Sequence, residues 1–93
     1  MQREKLGRVS DSLSKDFGCV VRSRREQLAL SQEALAELAG IHRTYVSSVE
    51  LGKVRLGLDI AKKVADALRT PLSELIAEAE VGGQTARRRR TRR

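Results

Sequence analysis

Aromatic side chains are nearly absent: the 93 residues include one Tyr, one Phe and no Trp. A core therefore has to be built from Leu, Val, Ile and Ala side chains. A single proline and few internal glycines interrupt the chain, and no run alternates β-branched with polar residues. This pattern favours helices over strands, and the length has room for one domain.

Cysteine, histidine and long apolar runs are also scarce. The lone Cys19 excludes an intrachain disulfide and fits a reducing, cytoplasmic setting. We expect its thiol to lie on the first helix, in or near the core of the domain. One Cys and one His cannot build a zinc site within a chain, so no metal or cofactor is predicted. No apolar run reaches 18 residues and no signal-peptide core follows the charged N-terminus, so no membrane association is predicted.

Catalytic groupings are missing as well. The sequence shows no acid/base pair, no nucleophile beside a base and no phosphate loop. It also shows no segment that resembles a domain for a small-molecule effector. We therefore predict that the chain is not an enzyme and binds no small-molecule ligand.

The net charge of +7 is concentrated at one end. Six of the 19 basic residues lie in the last seven positions, which leaves 13 basic against 12 acidic side chains in residues 1–86. Within that body, acids gather late, at Glu74, Glu78 and Glu80. Basic residues gather in the first helix and around residues 43–55, so one face of the body is expected to be basic.

Apolar spacing divides the chain into five predicted helices. Residues 1–14 are an N-terminal extension, which either frays or begins the first helix, and residues 15–81 form the domain. Residues 82–93 follow a Gly-Gly break and contain no core-forming side chain, so a disordered arginine-rich tail is predicted. The helices are expected at about 11–28, 32–39, 42–51 and 58–69, with the fifth beginning at Pro71.

The segment 30–52 has the features of two short helices joined by a tight turn. Ser31 is a good N-cap, Gly40 suits a left-handed helix end, and Ile41 supplies an apolar plug in the turn. The second helix of the pair begins with polar residues and buries only Val46 and Val49. Such a unit can place its second helix in the major groove of DNA; the alternative is an ordinary helical hairpin.

These residues resemble the Cro/C1-type helix-turn-helix family of transcriptional regulators. The resemblance implies an all-α, compact five-helix, lambda-repressor-like DNA-binding domain with its helix-turn-helix at helices 2 and 3. The run from Arg43 to Glu50 also resembles restriction–modification controller proteins and phage-type repressors. The matching residues are Arg25, Leu30, Ser31, Gln32, Leu35, Ala36, Gly40, Ile41, Val46, Ser47, Val49, Glu50, Gly52, Lys53, Ala65 and Leu68.

The resemblance also implies roles for individual side chains. Positions in the first turns of the third helix face base edges, and positions around them grip the DNA backbone. An arginine can donate two bonds to guanine, and a threonine methyl can touch the thymine methyl. The implied base contacts are Arg43, Thr44, Tyr45 and Ser48, and the implied backbone contacts are Gln32, Ser47, Lys53, Arg55 and Arg22, with Arg24 as an alternative to Arg22.

Three further residues in the unit carry their own expectations. The family resemblance implies a salt bridge between Arg25 and Glu50 that holds the third helix in place. Two alternatives to a base contact are open for Tyr45: a phosphate contact through its hydroxyl, or partial packing at the domain surface. His42 occupies an N-cap where the family usually has Ser, Thr or Asp; a surface histidine is favoured over a phosphate contact or a pH-dependent group.

The sequence therefore predicts a transcriptional regulator that binds double-stranded DNA as a homodimer, on a palindromic or repeated operator, in the cytoplasm and on the nucleoid. Dimer contacts are expected from the fifth helix and the 54–58 loop, although Leu56 and Leu58 could instead close the core. The tail is interpreted as an arm that adds phosphate contacts. Its predicted contacts are Arg87, Arg88, Arg89 and Arg90.

Two alternatives belong to other classes of protein. One is an antitoxin-type protein that binds a partner toxin and regulates its own gene through the same domain. The other is a nucleic-acid binder without sequence preference, on DNA or RNA, in which the arginine tail dominates.

Overall fold

The computed structural model of the chain is built from five α-helices. It describes backbone structure for residues 2–92 and side chains for residues 13–82. Within that part of the chain there is no strand, so the all-α prediction is confirmed. The helices are α1 (Gln2–Gln27), α2 (Gln32–Ala39), α3 (Arg43–Glu50), α4 (Leu58–Ala67) and α5 (Leu72–Arg92).

The helix bounds agree best with the sequence in the middle of the chain, where α2 matches its predicted range. The fourth helix ends at Ala67, two residues earlier than predicted. Arg69 adopts a left-handed φ of 57°, and its N–H bonds back to the carbonyl of Asp66 at 3.0 Å. α5 continues through Gly82 and Gly83, where the sequence predicted a break, and ends at Arg92. The side chains of the arginine-rich tail lie outside the described residues, and the disorder of the tail in the free protein stays a prediction.

The core is aliphatic, as the composition predicts. Leu35, Leu68 and Leu75 are essentially inaccessible to solvent, and Phe17 is the one aromatic residue buried with them. Each helix buries one apolar stripe against its neighbours, which is how amphipathic helices assemble a core. The other buried apolar residues are Val21, Ala36, Ala39, Val46, Val49, Ala61, Val64, Ala65 and Ala79.

The turn between α2 and α3 is built by local hydrogen bonds. The Ser31 hydroxyl accepts a bond from the Ala34 amide at 2.9 Å and caps the start of α2. Gly40 ends the helix at a φ of 72°, a conformation that glycine adopts without steric cost. The Ile41 amide then donates to the carbonyl of Ala36 at 3.0 Å, and Ile41 packs partly buried against the core. The predicted cap, helix end and apolar plug are all present.

Gly18 marks the place where α1 crosses the end of α3. A Cβ atom at this position would overlap the carbonyl oxygen of Val49 and would lie 2.7 Å from that of Glu50. From sequence alone this glycine is only a weak point in the first helix. The structure gives the reason for it, because the two backbones approach too closely for any side chain.

Among the described residues, no helix has the combination of length and apolar character that crossing a membrane requires. The exposed large apolar residues among those described are Leu13, Leu28, Leu38, Leu51, Leu58 and Val81.

We expect Gly18→Ala to lower the free energy of unfolding by at least about 2 kcal/mol, because overlap with rigid backbone cannot relax through a side-chain rotation. Thermal and denaturant unfolding followed by circular dichroism would measure the loss.

Gly82→Ala is the matched control. Gly82 also lies within a helix, and a Cβ there meets nothing within 4 Å. Helix propensity alone would stabilise both variants by about 1 kcal/mol. Equal unfolding midpoints for the two variants would contradict the close crossing at Gly18.

Candidate nucleic-acid interface

The two helices of the predicted unit pack against each other and leave one polar face open. Val46, Val49 and Glu50 of α3 are buried. On the other side of the same helix, Arg43 and Thr44 are exposed, and Ser48 is half-buried. We call Arg43, Thr44, Ser47 and Ser48 the α3 outer face. This separation follows from the 3.6-residue helical period, which places residues four apart on one side.

Tyr45 occupies the edge of this face. It is half-buried and packs against the core cluster, while part of the ring stays accessible. All three roles considered for this side chain are therefore compatible with its position. Its contact with a base stays a prediction.

Glu50 is the centre of a buried polar network at the end of α3. Its side chain is 3% exposed. Arg25 donates to it twice, from Nε to Oε2 at 2.7 Å and from Nη2 to Oε1 at 3.2 Å. Arg25 also donates from Nη1 to the Leu30 carbonyl at 2.8 Å. The structure thus brings together the two residues whose salt bridge the family resemblance implied.

The hydrogen bonds to Glu50 raise the pKa of Arg25, and partial burial opposes them. A raised pKa means that Arg25 contributes its full stabilisation at pH values below its unfolded-state pKa and that this contribution is lost as the pH rises through the folded-state pKa. The guanidinium therefore stays charged throughout the neutral range. A buried carboxylate with a permanent cation and two forked hydrogen bonds has a fixed geometry.

Gln32 completes this network from α2. Its Nε2 donates to Glu50 Oε1 at 3.0 Å, so one carboxylate receives bonds from two other helices. The family resemblance assigned this side chain to the DNA backbone and to the support of the third helix. The structure shows the supporting bond, and the phosphate contact stays a prediction. The sequence does not predict that Gln32 bonds Glu50, because the two residues are 18 positions apart and lie on different helices.

The residues predicted to contact the DNA backbone differ in exposure and in ion pairing. Lys53 and Arg55 are exposed just beyond α3 and form no ion pair within the described residues. Ser47 is half-buried on the α3 outer face. Arg22 is paired with Glu26 at 3.2 Å, one helical turn away, and both side chains are more than half exposed. Exposed pairs of this kind are weak, so Arg22 retains the freedom to reach a phosphate.

One expectation for α1 is wrong, and another stays a prediction. Arg24, considered as an alternative phosphate contact, pairs with α5: it bonds Glu74 at 2.8 Å and also contacts Glu78, and its phosphate contact stays a prediction. These bonds, Glu78 first and Glu74 second, raise the pKa of Arg24. Cys19 is exposed rather than in the core, because its side of α1 faces away from α3 and from the buried stripe around Phe17 and Val21.

His42 lies at the protein surface, as the favoured interpretation expects. His42 is exposed at the N-cap of α3, and its side chain makes no capping hydrogen bond. Among the described residues, no group of His, Cys, Asp and Glu side chains is arranged to hold a metal ion. The predicted phosphate contacts Arg87, Arg88, Arg89 and Arg90 lie outside the described side chains.

The fold and the exposed α3 face define a small helical DNA-binding unit, and comparison with known proteins identifies its family. A helix-turn-helix family model matches residues 21–75. The chain is 45% identical over 56 residues to control protein C.SmaI of Serratia marcescens, which covers 60% of this chain and 67% of that protein. It is 36% identical over 67 residues to control protein C.BamHI of Bacillus amyloliquefaciens, covering 71% and 83%.

A solved structure gives the same result. The restriction–modification controller protein C.AhdI from Aeromonas hydrophila superposes with a TM-score of 0.64 and 41% identity, over 66% of this chain and 92% of that one. The chain belongs to the Cro/C1-type helix-turn-helix family of DNA-binding transcriptional regulators. Such regulators are not enzymes, which confirms the prediction of a non-enzymatic protein.

We expect Glu50→Ala to lower the free energy of unfolding by about 3–5 kcal/mol, because Arg25 and Gln32 would lose their shared partner inside the fold. DNA binding should weaken with it, through loss of the position of α3. Urea unfolding and a DNA titration below the unfolding transition would measure the two effects.

Glu26→Ala provides the control, since it breaks an exposed ion pair on the same helix as Arg25 and should change stability by less than about 1 kcal/mol. A Glu50→Ala protein with unchanged melting temperature and unchanged DNA affinity would show that the network does not position α3.

Proposed function

We propose that this protein is a sequence-specific regulator that binds double-stranded DNA as a homodimer on a palindromic or repeated operator. One observation carries the proposal: α3 is tied at its end to α1 and α2 through Glu50, while Arg43, Thr44 and Ser48 stay accessible on its other side. A recognition helix needs both features, because its side chains must be free and its backbone must be fixed.

The base contacts are assigned to Arg43, Thr44, Tyr45 and Ser48. Arg43 has no acidic partner among the described residues, so its guanidinium is available for the O6 and N7 atoms of guanine. Lys53 and Arg55, exposed directly after α3, are assigned to phosphates beside the groove, together with Gln32, Ser47 and Arg22.

Dimer formation is assigned to the face around the 54–58 loop and α5. Leu56 is half-buried against the core, which agrees with the alternative that it closes the core over α4. Leu58 is different, since it is 75% exposed at the start of α4. It borders a small apolar groove of about 140 Å³ that also includes Leu13, Val54 and Ile76. An exposed leucine beside an apolar groove suits a self-complementary contact.

The relatives extend the proposal to a biological setting. C.AhdI is a restriction–modification controller, and C.SmaI and C.BamHI are control proteins. By similarity, we propose that this chain controls transcription in such a system, in the cytoplasm and on the nucleoid.

The test is selection of the full-length chain against a random duplex library at roughly physiological salt, with excess competitor DNA to absorb binding by the tail. We expect an enriched inverted repeat with half-sites about one helical turn apart. Arg43→Ala should cost about 1–3 kcal/mol and relax the preference at one base pair of each half-site.

Arg69→Ala removes the same charge from the turn between α4 and α5, outside the helix-turn-helix, and should leave the selected sequence unchanged. A folded wild-type chain that enriches no sequence would refute sequence-specific regulation and favour a tail-driven binder. Recovery of a stoichiometric toxin with the chain, and no operator, would favour the antitoxin-type alternative.

The tail is proposed as a second, sequence-independent contact with DNA. Replacing its six arginines by glutamine should reduce the slope of log affinity against log salt by roughly 5 for each protomer on the DNA, because about six counterion-releasing contacts disappear from each tail. The selected operator should stay the same. A salt slope equal to that of the wild type would show that the tail does not touch DNA.

A further inference from the structure

An open recess of about 510 Å³ lies beside the α3 outer face. Thr44 and Ser48 belong to both the recess and that face, so the two surfaces are continuous. Three elements form its walls: the turn before α3, α3 itself and the first turn of α4. The lining residues are Ile41, His42, Thr44, Tyr45, Ser48 and Ile60.

The recess is apolar and rigidly held. Ile41, Tyr45 and Ile60 are each half-buried and packed against the core cluster, so their inner sides are fixed while their outer sides face the recess. Among the described residues, no carboxylate, lysine or arginine lines it, and its ionisable side chains are those of His42 and Tyr45. A phosphate would find no fixed cation here. An apolar group would find contact area on three elements.

In the major groove the one apolar feature of the base edges is the C5-methyl group of thymine. We propose that this recess receives a pyrimidine C5-methyl group and that Ile60, which lies outside the helix-turn-helix, is a specificity-determining residue. The inference rests on the proposed function, because it needs α3 to lie in the groove. Thr44 and Ser48 place the recess directly beside the bases that α3 would contact.

Ile60 is the residue whose substitution best tests the methyl site, because other residues lining the recess are also assigned to base contacts. Thr44, Tyr45 and Ser48 are themselves assigned to base contacts, so their loss would weaken binding with or without a methyl site. Ile60 projects from α4 and reaches the same recess only through the fold. Burial of one methyl group corresponds to about a fourfold change in Kd.

The experiment uses the full-length protein and the operator that it selects. Each thymine of a half-site is replaced in turn by deoxyuridine, which removes only the C5-methyl group. Kd is measured by fluorescence anisotropy at fixed salt for the wild type and for Ile60→Ala. We expect at least one position at which wild-type binding weakens about fourfold, and at which Ile60→Ala is nearly indifferent to the same replacement.

Val20→Ala is the control protein, since Val20 is also half-buried against the core but lies on α1, away from the recess. It should keep the full wild-type response to deoxyuridine. The wild-type arm tests the methyl site without a variant. Where Ile60→Ala folds poorly by circular dichroism, Ile60→Val, which removes only one methylene, tests the role of Ile60.

Two results would overturn the inference and leave the proposed function intact: an operator whose binding is unaffected by deoxyuridine at every position, or an effect of the same size in Ile60→Ala. Restoration of wild-type affinity by 5-methylcytosine at a C·G replacement of the sensitive T·A pair would support it. A folded wild-type chain with no operator would overturn the proposed function and this inference together.

Discussion

The position of α3 depends on Glu50, a carboxylate buried where α1, α2 and α3 meet. A charge in that place is unfavourable unless cations and donors surround it, and Arg25 and Gln32 supply them from two other helices. Because the carboxylate accepts hydrogen bonds from donors on two other helices, these bonds hold the three helices in this arrangement. The network therefore contributes orientation, whatever its net contribution to stability.

The close crossing at Gly18 is a backbone contact between α1 and the same end of α3. Without a side chain at this position, α1 lies directly on the carbonyl groups that end α3. The polar network and the close packing together fix one end of α3. The opposite side of that helix carries none of these contacts, so Arg43, Thr44 and Ser48 stay available for DNA.

The charges of the described residues are divided between structure and surface by their partners. Arg24 and Arg25 are adjacent in sequence, yet one joins α5 and the other joins α3, since neighbouring residues on a helix point about 100° apart. The late acidic residues Glu74 and Glu78 are thereby taken up at the α1–α5 contact. Arg43, Lys53 and Arg55 form no ion pair with any other described residue, and this distribution supports a basic face toward phosphate more directly than the net charge does.

The sequence by itself determined what depends on neighbours along the chain. The cap at Ser31, the glycine end at Gly40, the apolar plug at Ile41 and the aliphatic stripes of the helices follow from local geometry and helical period. Only the tertiary structure decided what depends on distant partners. It placed Cys19 outside the core and paired Arg24 with α5. It also packed Gly18 against the backbone of α3, where no side chain fits, and brought Ile60 beside Tyr45. A residue's spacing defines its face on a helix, but the helix packed against that face is set by the fold as a whole.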